Sequence, residues 1–195
     1  RPYEHFEQAV EAYAQIGDAI GQAHAHLAIM WVDEQEGRLR GGLDHARHAL
    51  ALYRAGDWTL GQANALNGMG WGYALIGQPA AALLYGRKSV QLHQQLGNGL
   101  GESFAWDSVA YAHHCPGGYG QAAACYQRAI GLHRRLGHRH FEADTLNHLG
   151  DTHRAAGERS SARAVWQASL DIVTDLGLDE RADQVRTKLG ELDRD

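Results

Sequence analysis

The sequence has few cysteines and no long apolar run, and each shortage excludes a class of protein. Its two cysteines, Cys115 and Cys125, do not make the disulfide framework that is typical of small secreted domains. No apolar run approaches the roughly 18 residues that are needed to cross a bilayer. We therefore expect a soluble protein in the reducing cytoplasm, with no membrane partner.

Basic residues are also too few for a nucleic-acid surface. The chain carries 18 Lys and Arg against 23 Asp and Glu, which gives a formal net charge of -5. The one basic cluster, around Arg128, Arg134 and Arg139, is expected to be a solvated helix end. Because nucleic-acid binding depends on a broad basic face, we expect no direct contact with nucleic acid.

Motifs that carry catalysis or bind metals are missing as well. There is neither a phosphate-binding Gly-x-x-x-x-Gly-Lys nor a nucleophile elbow, and the set Asp107, Tyr111 and His114 lacks a nucleophile or electrophile. Although the chain has 13 histidines, none forms the i, i+4 pair of a His-Glu-x-x-His site. His45 and His48 lie three apart but lack an organised third ligand. We expect no enzymatic activity, no metal and no cofactor.

A repeat of forty residues is the feature that the sequence does have. The glycines Gly37, Gly77, Gly117 and Gly157 recur at this spacing, and a fixed period of this size is typical of a solenoid. Within each unit the apolar residues recur at three and four, which is the helical period, and the central glycine separates two helices.

This pattern predicts a single repeat domain over residues 1–195. It consists of a half repeat over 1–20, full repeats over 21–60, 61–100, 101–140 and 141–180, and a polar capping helix within 181–195. The predicted first helices are 22–36, 62–76, 102–115 and 142–156, and the predicted second helices are 43–55, 80–96, 120–136 and 160–176. Since the chain begins at Arg1 with half a unit, we expect a fragment of a longer protein.

The residue types at particular positions resemble the tetratricopeptide repeat, lengthened from about 34 residues. The last unit fits best, with Leu149-Gly150, His153, Ala162, Trp166 and Ser169 at the family's positions. The second unit departs at Gly86, where a bulky residue is usual, and the first departs most, at Met30 and Asp33. The resemblance implies an all-α fold, a right-handed superhelix of helical hairpins whose first helices line the concave side.

A narrower resemblance lies in stretches such as Leu66–Trp71, Trp106–His114 and Thr145–Asp151. They are similar to the C-terminal repeat domain of actinobacterial antibiotic-regulatory activators, the AfsR-like or SARP group. In that family the domain follows a winged-helix DNA-binding domain, a helical activation domain and a nucleotide-binding switch domain. The resemblance implies that the parent protein is a transcriptional regulator and that this piece is its sensing or autoinhibitory arm.

If the first helices line a groove, residues forty apart form rows along it. Aromatic anchors and amides suit a bound peptide or short helix, and the carboxylates would prefer a partner with Arg or Lys. The predicted partner-binding residues are Trp31, Asn67, Trp71, Asp107, Tyr111, Asn147 and Asp151. The alternative is that the aromatic residues pack between units. Gly68 and Gly72, inside a first helix, likewise indicate either a pliable segment or tight packing.

We therefore predict a module that binds another protein, a peptide or another domain of the same chain. Two alternatives remain open at this point. One is a sensor of a small molecule or signal peptide in the same groove, and the other is a structural module that dimerises the parent protein.

Overall fold

The computed structural model describes residues 2–192 and 194. Over this range the chain forms helices and no strand, which confirms the predicted all-α class of helical hairpins. The helices are α1 (Pro2–Ile16), α2 (Ala19–Gln35), α3 (Leu39–Ala55), α4 (Thr59–Leu75), α5 (Pro79–Gln95), α6 (Gly99–His114), α7 (Tyr119–Leu136), α8 (Arg139–Ala155), α9 (Arg159–Asp175) and α10 (Asp179–Leu192). Arg1 of the predicted half repeat and Asp193 and Asp195 of the predicted cap lie outside the described residues.

The first helices begin three residues earlier than the sequence pattern predicted. Helix α2 begins at Ala19 because the Asp18 carboxylate accepts a hydrogen bond of 2.8 Å from the Gly21 backbone N–H, which caps the helix. Helix α10 also begins early, at Asp179. Its first turn contains Asp179 and Glu180, whose charges suit the positive end of the helix dipole.

Every connection between helices is a short turn with one residue in the left-handed region. At Gly37, φ is +74°, and the turn closes with hydrogen bonds of 3.1 Å from Gly37 N–H to Glu34 O and 2.7 Å from Arg38 N–H to Asp33 O. This is the Schellman arrangement. The other left-handed glycines are Gly17, Gly77, Gly97, Gly117, Gly137, Gly157 and Gly177. Asp57 holds the remaining turn, with φ of +51°.

The chain divides into two compact units, Arg1–Ala112 and His113–Asp195. The core of the first unit is built from large side chains such as Leu43, Tyr53 and Met69, interleaved with alanines. In the second unit Trp166 is fully buried, and it packs with Val185 and Leu192 of α10. Helix α10 therefore packs against the apolar face of α9.

Close packing accounts for the glycines inside the helices of the second repeat. A Cβ on Gly70 would lie 2.9 Å from the Gly86 backbone nitrogen, and a Cβ on Gly86 would lie 2.8 Å from Val109 Cγ2. Helices α4 and α5 thus meet backbone to backbone, and Val109 takes the space of the usual bulky residue. This contact explains why Gly86 departs from the family pattern.

Close packing also accounts for Gly68 and Gly72. A Cβ on Gly68 would lie 2.7 Å from Met30 Sδ, and a Cβ on Gly72 would lie 2.9 Å from Leu43 Cδ2. Both glycines therefore make room for side chains of neighbouring helices. Tight packing explains them, and a pliable segment is not needed.

Candidate functional site

The aromatic row of the first unit has one exposed ring and two half-buried rings. The Trp31 side chain is 63% exposed, whereas Trp71 and Tyr111 are half-buried. The rings of Trp71 and Tyr111 contact each other, with centroids 4.8 Å apart and an interplanar angle of 37°. Packing therefore explains part of the position of Trp71 and Tyr111, while Trp31 presents most of its indole to solvent.

A carboxylate lies beside these rings. Glu34 follows Trp31 by three residues on α2, so the two share a face of the helix. The Trp71 indole N–H donates a hydrogen bond of 2.7 Å to Glu34 Oε1. The bond fixes the Glu34 carboxylate next to the aromatic row. We call Trp31, Glu34 and Trp71 the tryptophan surface.

The two polar residues predicted next to this row are half-buried on α4 and α6. They are Asn67 and Asp107. The Asn67 side-chain oxygen is buried and accepts no hydrogen bond from the described residues. An unsatisfied buried acceptor costs about 1–3 kcal/mol, so the Asn67 oxygen is locally destabilising beside the tryptophan surface.

In the second unit, the predicted polar residues are already bound by the capping helix. Lys188 Nζ lies 2.9 Å from Asn147 Oδ1 and 2.7 and 2.8 Å from the two oxygens of Asp151. Arg181 likewise donates a hydrogen bond of 2.6 Å to Asp144. An external basic partner would have to displace these contacts. The sequence predicted that these carboxylates would prefer Arg or Lys. It did not predict that α10 of the same chain supplies those basic residues.

A cleft of about 350 Å³ also lies in the second unit, with Asp144, Asn147 and Arg181 among its lining residues. This volume is near the lower limit for small-molecule sites, which are mostly apolar. The Asp144–Arg181 ion pair forms part of the lining, so polar groups face the cleft. The charges of Asp144 and Arg181 neutralise each other.

Three histidines meet between α2 and α3, and sequence reasoning recognised only two of them. Nδ1 of His26 lies 2.8 Å from Nδ1 of His45, and the rings of His26 and His48 stack with centroids 5.3 Å apart. Burial, together with the nearby His45 and His48 rings, lowers the pKa of His26 to about 4. Because His26 comes from a different helix, 19 residues before His45, no local spacing could have revealed it.

The charges around His45 come from three helices. Burial lowers the pKa of His45, the carboxylates of Asp33, Asp44 and Glu7 raise it, and His48 lowers it. The described residues contain no group of three His, Cys, Asp or Glu side chains arranged to hold a metal ion. The Nδ1 atoms of His26 and His45 instead face each other. This contact requires at least one of these two rings to be neutral.

Asp33, which stands where the family has an aromatic residue, has a structural role. Its carboxylate is 2% exposed and accepts hydrogen bonds from Arg38, 2.8 Å from Nε and 2.7 Å from Nη2. The Arg38 guanidinium carbon also lies 4.7 Å from the centroid of the Tyr3 ring. The buried charge is thus paired, as burial of a carboxylate requires.

None of the described helices is both long enough and apolar enough to span a membrane.

Comparison with known sequences finds no matching family model and no matching curated protein. The solved structures do show similar folds. BtubC (BKLC) of P. vanneervenii is similar over 98% of this chain and 82% of its own, with 16% identity and a TM-score of 0.81.

Two further structures are similar in the same way. Kinesin-light-chain-type TPR-like repeats from Podosopora anserina match 90% of this chain and 86% of their own, at 13% identity and a TM-score of 0.69. A Rap protein complexed with Competence and Sporulation Factor matches 98% of this chain and 69% of its own, at 12% identity and a TM-score of 0.71. At such identities the likeness shows the fold alone. The fold is a tetratricopeptide-like α-solenoid.

Proposed function

We propose that this protein is an interaction module that binds a partner protein or peptide through the tryptophan surface of its first unit. The observation that carries the proposal is the 63% exposure of Trp31. A large aromatic ring left in water loses the free energy that its burial would contribute, about 1.5–3 kcal/mol for a large apolar side chain. Such rings are frequent anchors of protein interfaces.

The surroundings of Trp31 also suit a bound peptide. Trp71 and Tyr111 extend the aromatic row, and Asn67 and Asp107 on the same two helices could hold polar groups of a partner. We propose that Asn147 and Asp151 of the second unit contribute a separate polar surface when Lys188 is displaced. Since they are paired in this structure, we expect them to contribute less than Trp31.

The fold and the sequence resemblance support the same role. Repeat folds of this class present extended surfaces to partners, and one Rap protein of similar fold is complexed with Competence and Sporulation Factor. On the resemblance to AfsR-like regulators, binding shifts a transcriptional activator between two states. Such a shift needs only a few kcal/mol of differential affinity.

The test compares two exposed apolar residues on different helices. Proteins retained from a source-cell lysate by the immobilised chain are identified and purified, and their Kd values are measured for wild type, Trp31→Ala and Leu84→Ala. Leu84 lies on the second helix α5 and is 51% exposed, so it is a matched control. We expect Trp31→Ala to weaken binding by about tenfold or more and Leu84→Ala to have no effect.

Circular dichroism must show that both variants remain folded. Equal binding by wild type and Trp31→Ala would contradict the proposal. Loss of binding in Leu84→Ala alone would move the interface to the second helices.

A further inference from the structure

We propose that the tryptophan surface recognises a basic side chain, preferably arginine, on a peptide segment of the partner. This inference rests on the proposed function and specifies the chemistry of the partner. The recognition element consists of the exposed indole of Trp31 and the carboxylate of Glu34. A guanidinium can stack on an aromatic face and donate hydrogen bonds to a carboxylate at the same time.

The Glu34 carboxylate is held in place but keeps acceptor capacity. The bond of 2.7 Å from the Trp71 indole uses Oε1, and a carboxylate offers about four lone-pair positions on its two oxygens. Trp71 therefore orients Glu34 without saturating it. Preorganisation of this kind lowers the entropic cost of binding a cation.

The same molecule already holds basic side chains with an aromatic ring and a carboxylate. Arg38 bonds to Asp33 while its guanidinium carbon lies 4.7 Å from the ring centroid of Tyr3. In the second unit, Lys188 bonds to Asp151 while its ammonium lies 5.8 Å from the ring centroid of Trp166.

Arg47 repeats the arrangement a third time. Its guanidinium lies 2.6 Å from Asp44 Oδ1 and 5.8 Å from the ring centroid of Tyr73, and it donates a further hydrogen bond to the Tyr73 hydroxyl. Each of these three pairs of ring and carboxylate is filled by a basic residue of the chain itself. At Trp31 and Glu34 no basic side chain of the described residues lies over the ring.

The charge of the chain favours the same partner. The formal net charge is -5, and the first helices of this unit carry further carboxylates besides Glu34, among them Asp107 on α6. A segment that carries an acidic residue at the contact point would meet like charge, which disfavours it. An arginine would meet an indole face and a carboxylate together.

The test selects peptides from a random library of about twelve residues on the immobilised wild-type chain, with counterselection on Trp31→Ala. We expect the enriched peptides to share an Arg or Lys at a fixed position. One enriched peptide is then synthesised with arginine and with neutral citrulline at that position, and its Kd is measured for wild type, Glu34→Gln and Asp57→Asn. Because a hydrogen bond to a charged group is stronger than one between neutral groups, we expect Glu34→Gln to weaken binding of the arginine peptide about tenfold or more.

The controls separate this contact from net charge and from the fold. Glutamine at 34 keeps an oxygen that can accept the Trp71 N–H bond, so the local packing is retained. Asp57 is exposed in a turn, so Asp57→Asn removes one negative charge, as Glu34→Gln does, but away from the tryptophan surface. We expect it to leave the Kd unchanged. The citrulline peptide should bind wild type and Glu34→Gln equally weakly.

The outcomes distinguish this inference from the proposed function. Enriched peptides that depend on Trp31 but carry no basic residue would overturn the inference and leave the interaction module standing. An arginine peptide that binds Glu34→Gln as well as wild type would do the same. If no peptide is enriched over Trp31→Ala, the surface does not bind peptides, and the inference falls together with the assignment of this surface.

Discussion

Gly150 on α8 and Gly190 on the capping helix α10 lie forty residues apart at the same position of the repeat, but only Gly150 is covered. A Cβ on Gly150 would lie 2.3 Å from Cδ1 and Nε1 of Trp166, whereas nothing lies within 4 Å of a Cβ on Gly190. Trp166 is fully buried and donates a hydrogen bond of 3.2 Å to the Asn147 carbonyl. The substitution Gly150→Ala must therefore displace a packed indole, and Gly190→Ala displaces nothing.

The expected changes in the free energy of unfolding have opposite signs. Overpacking costs about 1–3 kcal/mol, and a weakened Trp166 hydrogen bond adds about 0.5–1.5 kcal/mol. Alanine gains about 1 kcal/mol over glycine in a helix interior. We therefore expect Gly150→Ala to destabilise the protein by about 0.5–3.5 kcal/mol. Gly190→Ala should stabilise it, by at most about 1 kcal/mol.

The assay is urea denaturation followed by circular dichroism at neutral pH, on the full chain and with both variants side by side. The midpoint should fall for Gly150→Ala and stay equal or rise for Gly190→Ala. Changes of the same sign and size would show that helix propensity alone governs both positions. That result would refute the close approach of α8 to Trp166.

Two further predictions concern charge. Because the folded-state pKa of His26 is lowered from 6.5 to about 4, the unfolded chain binds more protons between these values, so stability is full above pH 6.5 and falls as the pH drops toward 4. The shift implies a loss of about 3 kcal/mol, which solvent screening of the half-buried ring reduces to about 1–2 kcal/mol. His26→Gln should flatten the dependence of the thermal midpoint on pH, and an unchanged profile would contradict this. Lys188→Met should destabilise the chain by about 1 kcal/mol in low salt and by less in about 1 M salt, since the bond to Asp151 is partly exposed; a salt-independent loss would indicate packing instead.

The helical hairpins could be predicted because their signals are local. A glycine at Gly37 and the apolar period of three and four define a turn and two helix faces without reference to the rest of the chain. The starts of the helices were less accurate, because a helix start is set by its cap rather than by the apolar period. The cap at Asp18 depends on a single side-chain hydrogen bond.

The candidate surface was harder to predict because it depends on contacts between distant residues. Trp31 and Trp71 share one position in the repeat, yet Trp71 gains Glu34 and Tyr111 as neighbours while Trp31 stays exposed. Lys188 reaches Asp151 from 37 positions away in sequence. Periodicity places residues in rows, but the occupant of each space between rows depends on side chains in neighbouring repeats.

The left-handed turns recur every twenty residues, from Gly17 to Gly177. This spacing allows whole repeats to be deleted from the chain or duplicated in it. Any window of forty residues starts and ends at equivalent points of the backbone. Removing one window, or copying it, joins two equivalent helix segments and leaves every other turn as it was. In repeat proteins each repeat mainly contacts its neighbours, so the chain can gain or lose a hairpin by one in-frame duplication or deletion. The same event adds or removes the binding residues which that hairpin carries.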